Sequence, residues 1–217
     1  MAGDLAERWQ RLRATIPAGV GLVAVTKYSE VPTLREAYHL GMAHFGENRI
    51  QEAQQKQEAL RDLPITWHLI GHLQSNKVPL AVRHFAWIHS VDRPSLIPPL
   101  QRAIAAVGSS PKLLLQVKLE PDPDKSGWQE ADLLAHLDTL RAADGLNWVG
   151  LMTMLPLGYT GDRAYEAFLR VKRLQERLWE QGWSQLQELS MGMSADYPEA
   201  IRAGATLVRI GSQLFRE

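Results

Sequence analysis

The stretch Leu189-Ser190-Met191-Gly192-Met193-Ser194 is followed shortly by Val208-Arg209-Ile210-Gly211-Ser212. Each stretch ends a short apolar strand in small residues, which leave backbone N–H groups accessible. Such N–H groups, together with a following helix N-terminus, can hold a phosphate. Ordinary turns use the same residue types, but two such turns at matching positions on successive strands favour a phosphate site. The sequence therefore predicts phosphate binding by Ser194, Gly211 and Ser212.

Outward from these turns, short apolar strands alternate with segments of helical periodicity. An amphipathic helix of about residues 4–15 comes first. The predicted strands are Gly21–Thr26, Ala43–Gly46, Thr66–Ile70, Phe85–His89, Lys112–Lys118, Trp148–Met152, Gln187–Ser190 and Leu207–Ile210. Helical patterns cover Val31–Leu40, Arg49–Leu60, Gln129–Ala142, Ala164–Glu180 and Pro198–Ala203, the last with Asp196 as its cap. We expect an α/β fold with a single (β/α)8 TIM-type barrel over residues 1–217, and an open doubly wound sheet is the competing architecture.

The composition limits the possible partners of this chain. Lys plus Arg and Asp plus Glu are 24 each, so no overall positive field attracts nucleic acid or an anionic membrane. The chain has no cysteine, which excludes disulfides, thiolate catalysis and cysteine-bound metal. The polar N-terminus has no signal-peptide core, and no apolar run approaches the roughly 20 residues that span a bilayer. We expect a cytoplasmic protein without nucleic-acid or membrane partners.

Polar residues follow the carboxyl ends of the predicted strands, where barrels of this class place their active sites. They are Lys27, Glu47, Asn48, Gly71, His72, Ser90, Lys118, Lys125 and Thr153. Since these strand ends meet at one mouth, the sequence predicts a single site there. The histidines show neither HxH nor HExxH spacing, so we expect no metal site, and we interpret His68 and His72 as core or mouth residues.

Two charged residues in or beside strands could carry chemistry. Lys27 directly follows the first strand, and a partly desolvated lysine can offer a free amine for a Schiff base. Alternatively, Lys27 pairs with Glu47 or extends into solvent. Arg209 lies within an apolar strand. It is either half of a buried ion pair or a fixed donor to a ring nitrogen or an anion.

Taken together, these segments resemble the pyridoxal 5′-phosphate (PLP) homeostasis protein family, over nearly the whole chain and in the family's order. The matching stretches are Leu22–Lys27, Phe45–Glu52, Trp67–Lys77, Ile88–Asp92, Lys125–Gly127, Gly150–Met152, Leu189–Ser194 and Val208–Gly211. The resemblance implies a barrel like the N-terminal domain of alanine racemase that holds PLP as an internal aldimine.

The resemblance also implies a role for each matching residue. Lys27 would carry the cofactor, and Arg209 would face its pyridine nitrogen. Asn48 and Met193 would line the ring. The phosphate would be held by Ser194, Gly211 and Ser212. The chain departs from the family at Thr26 and Tyr28, where small hydroxyl residues are commoner, and at Lys118, where asparagine is frequent.

The resemblance leads us to expect a carrier of PLP, with no catalytic residue. An arginine cannot accept a proton from the ring nitrogen, so the ring is a weaker electron sink than in most PLP enzymes. Alanine racemase has such an arginine but adds a second domain and a partner subunit, whereas the barrel predicted here uses the whole chain. We expect a monomer that supplies PLP to PLP-dependent apoenzymes. It would thereby maintain the levels of PLP and vitamin B6 and of amino and keto acids.

The alternatives are a small PLP racemase or transaminase and a sugar-phosphate aldolase that uses Lys27 without a cofactor.

Overall fold

Eight parallel strands follow one another around a closed barrel in the computed structural model, which describes residues 4–215. The strands are β1 Gly21–Val25, β2 His44–Glu47, β3 Thr66–Leu69, β4 Trp87–Val91, β5 Lys112–Gln116, β6 Asn147–Met152, β7 Glu188–Met193 and β8 Leu207–Ile210. Strand β1 pairs with β8 over its first four residues, which closes the sheet. The predicted barrel is therefore confirmed, and the open sheet is wrong. Residues 1–3 and 216–217 of the expected domain lie outside the described residues.

Helices follow the strands and cover the outside of the barrel. They are α1 Leu5–Thr15, α2 Val31–His39, α3 Ile50–Ala59, α4 Val78–His84, α5 Ile97–Val107, α6 Glu130–Ala135, α7 Leu137–Arg141, α8 Gly161–Glu180, α9 Tyr197–Arg202 and α10 Ser212–Phe215. In the part of the chain that the structure describes, none is long and apolar enough to cross a membrane.

The predicted helix Gln129–Ala142 is wrong in one respect, because it consists of two helices, α6 and α7. The break is at His136, whose backbone leaves the helical region at φ −100° and ψ 8°. Its ring nitrogen lies 2.8 Å from the carbonyl oxygen of Asp132. Hydrophobic periodicity does not reflect a local contact of this kind, so the periodic pattern could not predict the break at His136.

Successive side chains of each strand point alternately out of and into the barrel, which gives two buried layers. Outward side chains such as Phe45, Leu69 and Ile88 belong to the large core shared with the helices. A second apolar cluster is formed by Trp87, Leu114, Met152 and Leu207. The barrel interior is thus packed with side chains, as is usual for this fold, and leaves room for a ligand only at the carboxyl ends of the strands.

Candidate functional site

Lys27 lies just beyond β1, where two cavities adjoin at the carboxyl ends of the strands. The side cavity measures about 250 Å³ and is lined by Val25, Lys27, Tyr28, Ser29, Glu30, Thr33, Gly211, Ser212 and Phe215. The central cavity measures about 290 Å³ and is lined by Val25, Lys27, Asn48, Ile70, Gly71, His72, Gln116, Asp124, Lys125, Ser126, Met154, Met193 and Arg209. Because Lys27 lines both, its amine can reach a ligand that occupies either one.

Of the seven residues predicted to bind the cofactor, six line the two cavities. Asn48, Met193 and Arg209 share the central cavity with Lys27, and Gly211 and Ser212 share the side cavity with it. Ser194 lines neither cavity. Its carbonyl oxygen instead accepts a hydrogen bond from the side chain of Gln213 at 2.7 Å.

The predicted alternative in which Lys27 pairs with Glu47 is wrong. Glu47 is the last residue of β2, fully buried, and its carboxylate is 2.7 Å from Nζ of Lys56 in α3. The same oxygen accepts a hydrogen bond from the Thr26 hydroxyl at 2.6 Å. Lys27 makes no ion pair among residues 4–215, and its Nζ lies 5.0 Å from the ring centroid of Tyr28. The amine of Lys27 is therefore available for chemistry.

Lys56 also fixes the backbone that carries Lys27. Its ammonium donates a hydrogen bond to the carbonyl oxygen of Thr26 at 2.7 Å, in addition to its ion pair with Glu47. Thr26 is thus held through both its hydroxyl and its carbonyl group. This clamp, made by Lys56, Glu47 and Thr26, determines where the main chain leaves β1.

Arg209 is a buried cation that faces the central cavity and forms no ion pair with a carboxylate of residues 4–215. One of its terminal nitrogens donates to the carbonyl oxygen of Ser190 at 2.6 Å and to its hydroxyl at 2.7 Å, and the other donates to the carbonyl oxygen of Thr153 at 2.7 Å. Burial lowers the pKa of Arg209 to about 10, with the charge of Asp196 opposing that shift, so the guanidinium stays protonated at neutral pH. The predicted buried ion pair is absent among the described residues, and N–H groups remain for an acceptor in the cavity.

A tight turn after β7 places Met193 at the cavity. Gly192 has a φ of +90°, and a Cβ at that position would lie 2.6 Å from Cβ of Ala200. Asp196 occupies the predicted N-cap position of α9, but its side chain makes no capping hydrogen bond to the helix. Its carboxylate instead accepts a hydrogen bond from the Met193 N–H at 2.6 Å, back in the turn. Burial of Asp196 raises the pKa of its carboxyl group.

The turn after β8 approaches the end of β1 closely. A Cβ on Gly211 would lie 3.1 Å from both Cβ and the carbonyl oxygen of Val25. Helix α10 begins at the next residue, Ser212. The N–H groups of Leu214 and Phe215 donate to the carbonyl oxygen of Gly211, which leaves those of Ser212 and Gln213 without a backbone acceptor among the described residues. The turn therefore presents a hydroxyl and backbone donors beside Lys27.

The remaining polar residues predicted at the strand ends have different positions. Ser90 lies inside β4 and is fully buried, so its prediction as a mouth residue is wrong, since β4 extends to Val91. Thr153 is also buried, and its hydroxyl donates to the Val117 carbonyl oxygen at 3.0 Å. Lys125 lines the central cavity and donates to Asp122 and to the carbonyl oxygen of Leu155, both at 2.7 Å.

The sequence analysis did not identify Gln116 in the central cavity, nor the side-cavity residues Tyr28, Ser29, Glu30 and Thr33. The side chain of Gln116 lines the central cavity and donates to the carbonyl oxygen of Ser126 at 2.8 Å, which holds the loop after β5 over the mouth. The position of Gln116 at the end of β5 was the sequence feature that could have identified it.

His68 is a core residue and His72 lies at the mouth, as interpreted from the sequence. Over residues 4–215, no group of three or more His, Asp or Glu side chains is arranged to hold a metal.

Comparison with known proteins gives consistent similarities over nearly the full chain. The family model for the alanine racemase N-terminal domain matches residues 2–217. A pyridoxal phosphate homeostasis protein from Synechocystis sp. is 46% identical over 209 residues, covering 95% of each chain. The structure of PipY from Synechococcus elongatus with PLP bound has 48% identity and a TM-score of 0.93, over 98% of this chain and 100% of that one.

A more distant similarity concerns the fold alone. An alanine racemase from Clostridium difficile has a TM-score of 0.81 at 13% identity, over 98% of this chain but 56% of that one. The barrel described here thus corresponds to one part of that longer chain.

Proposed function

The chain belongs to the pyridoxal phosphate homeostasis protein family, and on that premise we propose that it binds PLP through Lys27 and takes part in PLP homeostasis. In this proposal, Nζ of Lys27 condenses with the aldehyde of PLP to a Schiff base, releasing one water. The observation that carries the proposal is the position of this amine, between a cavity with a buried arginine and a turn rich in backbone donors. A related protein, PipY, has been solved with PLP bound.

The residues at the mouth fit the chemical groups of PLP. Arg209 can only donate hydrogen bonds, and an unprotonated pyridine nitrogen can only accept them. Gly211 and Ser212 supply the donors that a phosphate requires. Asn48 and Met193 line the central cavity together with Arg209 and would contact the ring. Ser194 lines neither cavity, so a phosphate contact from its hydroxyl or N–H group would require the turn after β7 to move toward the ligand.

We further propose that the protein carries and releases PLP without catalysing a reaction of its own. A ring nitrogen held by Arg209 stays unprotonated, which weakens the electron sink that PLP catalysis requires. Both cavities are partly open, so intermediates would not be sheltered from water. We propose a monomer that exchanges PLP with PLP-dependent apoenzymes in the cytoplasm, and the absence of cysteine suits that reducing compartment.

The test is the absorption spectrum of the protein after incubation with PLP, compared for the native protein and Lys27→Ala. We expect a Schiff-base band in the native protein, loss of the band in Lys27→Ala, and retention in the matched control Lys77→Ala. Borohydride reduction followed by peptide mass spectrometry should locate the adduct on Lys27.

Other outcomes of this experiment would support a different function. An adduct on another lysine would overturn the assignment of Lys27. Racemisation or transamination of an amino acid at an enzyme-like rate, lost in Lys27→Ala, would indicate an enzyme. A protein that stays colourless with PLP but traps a sugar phosphate on Lys27 would indicate an aldolase.

A further inference from the structure

Three histidines form a continuous hydrogen-bonded chain inside the barrel, and the proposed function makes no use of them. Nδ1 of His44 lies 3.0 Å from Nε2 of His68, and Nδ1 of His68 lies 2.9 Å from Nε2 of His89. Nδ1 of His89 lies 2.9 Å from the hydroxyl of Ser190, which accepts a hydrogen bond from Arg209 at 2.7 Å. The chain thus ends on the arginine at the ligand cavity.

The chain crosses the barrel interior and does not run along one strand. Its members come from β2, β3, β4 and β7, and the link from His89 to Ser190 joins strands that are not neighbours in the sheet. His68 and His89 are fully buried, and the ring of His68 stacks on Trp87 with centroids 5.2 Å apart. Imidazoles buried so completely need partners for both ring nitrogens, and the chain supplies them.

Arg209 fixes the direction of every hydrogen bond in the chain. A guanidinium donates only, so the Ser190 hydroxyl oxygen accepts from Arg209, and its own proton is directed to Nδ1 of His89. A neutral His89 then carries its proton on Nε2 and donates to Nδ1 of His68. His68 in turn donates from Nε2 to Nδ1 of His44. All three rings therefore have the Nε2–H tautomer.

The opposite direction would leave the Ser190 hydroxyl proton unpaired. If His89 donated to Ser190, the hydroxyl oxygen could accept from both His89 and Arg209, but its proton would have no acceptor among the described residues. Burial lowers the pKa of His68 and of His89 well below the ordinary histidine value, and the positive charge of Arg209 adds to the effect on His89. Burial lowers the pKa of His44 as well, with a further contribution from Lys112. The neutral, ordered form is therefore stable near neutral pH.

We propose that His44, His68 and His89 are positioning residues, which hold the Ser190 hydroxyl as an acceptor for Arg209 and so aim the guanidinium at the ring nitrogen of the ligand. This inference rests on the proposed function, since PLP is the ligand whose ring nitrogen Arg209 would face. The histidines themselves do not touch the ligand. Their effect passes through Ser190, one hydrogen bond from Arg209.

The direct test is ¹⁵N NMR of histidine-labelled native protein without PLP, near pH 7.5. We expect the rings of His44, His68 and His89 to give the shifts of neutral Nε2–H tautomers. An Nδ1–H tautomer or a doubly protonated ring at His68 or His89 would overturn the inference. This measurement needs neither a variant nor the ligand.

A double-mutant cycle tests whether the chain acts on Arg209. His68→Phe keeps a ring against Trp87 but removes both nitrogens, and we expect it to weaken PLP binding about tenfold, the effect of one buried hydrogen bond left unmade. Ser190→Ala should weaken binding similarly, and the double variant should be little weaker than Ser190→Ala alone. The matched control is His84→Phe, because His84 lies outside the chain and contacts Gln54 and Gln57.

The outcomes separate this inference from the proposed function. Multiplicative losses of affinity in the double variant would mean that His68 and Ser190 act independently, which overturns the positioning role while PLP binding stands. If the native protein forms no adduct with PLP, the proposed function fails, and the positioning role fails with it, even where the NMR spectra show the expected tautomers. If His68→Phe does not fold, the same cycle is run with His89→Gln.

Discussion

Gly71 is the single residue that sets how closely two loops approach at the ligand mouth. A Cβ on Gly71 would lie 2.1 Å from the carbonyl oxygen of Asn48 and 2.7 Å from its Cα, so the two backbones are in contact. Because the obstruction is backbone, no rotamer change can relieve it. The position of Asn48 at the central cavity therefore depends on a residue without a side chain.

We predict that Gly71→Ala displaces Asn48 and weakens PLP binding at least about fivefold, with a loss of stability of roughly 1–3 kcal/mol from the forced backbone shift. Titration of the absorbance band and urea denaturation measure the two effects. The matched control is Gly19→Ala, since no atom lies within 4 Å of a Cβ at that position. Unchanged affinity in Gly71→Ala would show that the contact with Asn48 does not position the site.

Individual site residues could be predicted from the sequence where they follow the carboxyl end of a strand, which places them at the mouth of the barrel. Lys27 was found in this way, because strand ends in a parallel barrel meet at one mouth. Arg209 was found as a charged residue within an apolar strand. Glu47 and Ser90 were misplaced, because β2 and β4 end one and two residues later than predicted, so both residues lie within strands and not beyond their ends. Ser194 was predicted from the small residues of its turn, which do not indicate that the turn lies outside the two cavities.

At the scale of elements, the clamp of Lys56, Glu47 and Thr26 joins helix α3 to strands β1 and β2. The carboxylate of Glu47 is fully buried, and the side chain of Lys56 is 13% exposed. One oxygen of Glu47 carries both bonds, and the other has no partner among the described residues. Loss of the ammonium would leave a buried charge with only the Thr26 hydroxyl as donor.

We predict that Lys56→Met destabilises the protein by about 3–5 kcal/mol, the usual cost of removing one partner from a buried ion pair. Adding Glu47→Gln should restore part of the loss, because it removes the unpaired charge. The free energies of unfolding come from urea denaturation of both variants. A loss below about 1 kcal/mol in Lys56→Met would contradict the structural role given to this pair.

Over the whole molecule, the buried histidines should make stability depend on pH. The folded state depresses the pKa of His68 and His89, whereas in the unfolded chain both titrate near the ordinary value of about 6.5. The unfolded state therefore binds more protons below that pH, and stability is lost as the pH falls through it. Asp196, whose pKa is raised, acts in the opposite direction nearer the carboxyl range.

We predict that the free energy of unfolding drops by roughly 2 kcal/mol between pH 6.5 and 5.5, about half from each histidine, and is flat above pH 7.5. Urea denaturation at these pH values measures the drop. In His68→Phe the drop should be about half as large. A native protein equally stable at pH 6.5 and 5.5 would refute the claim that both rings stay neutral when folded.

The architecture as a whole was predictable, but the interior chain was not. Eight alternating units indicated a closed barrel, and β8 was predicted with its observed limits. The contact of His89 with Ser190 joins residues 101 positions apart across the barrel, and only the shear of the closed sheet brings them to the same level. Hydrophobic periodicity carries no information about such a pairing.

Closure of the barrel between β1 and β8 determines when the ligand site is complete during folding. Val23 lies beside Arg209, and Ala24 beside Ile210, so the amine and the guanidinium at the mouth come from segments near opposite ends of the polypeptide. Before β8 docks, a folding chain has Lys27 but no Arg209 beside it. On the proposed function, PLP binding that uses both groups requires the closed barrel, so bound PLP would selectively stabilise molecules in which β8 has docked.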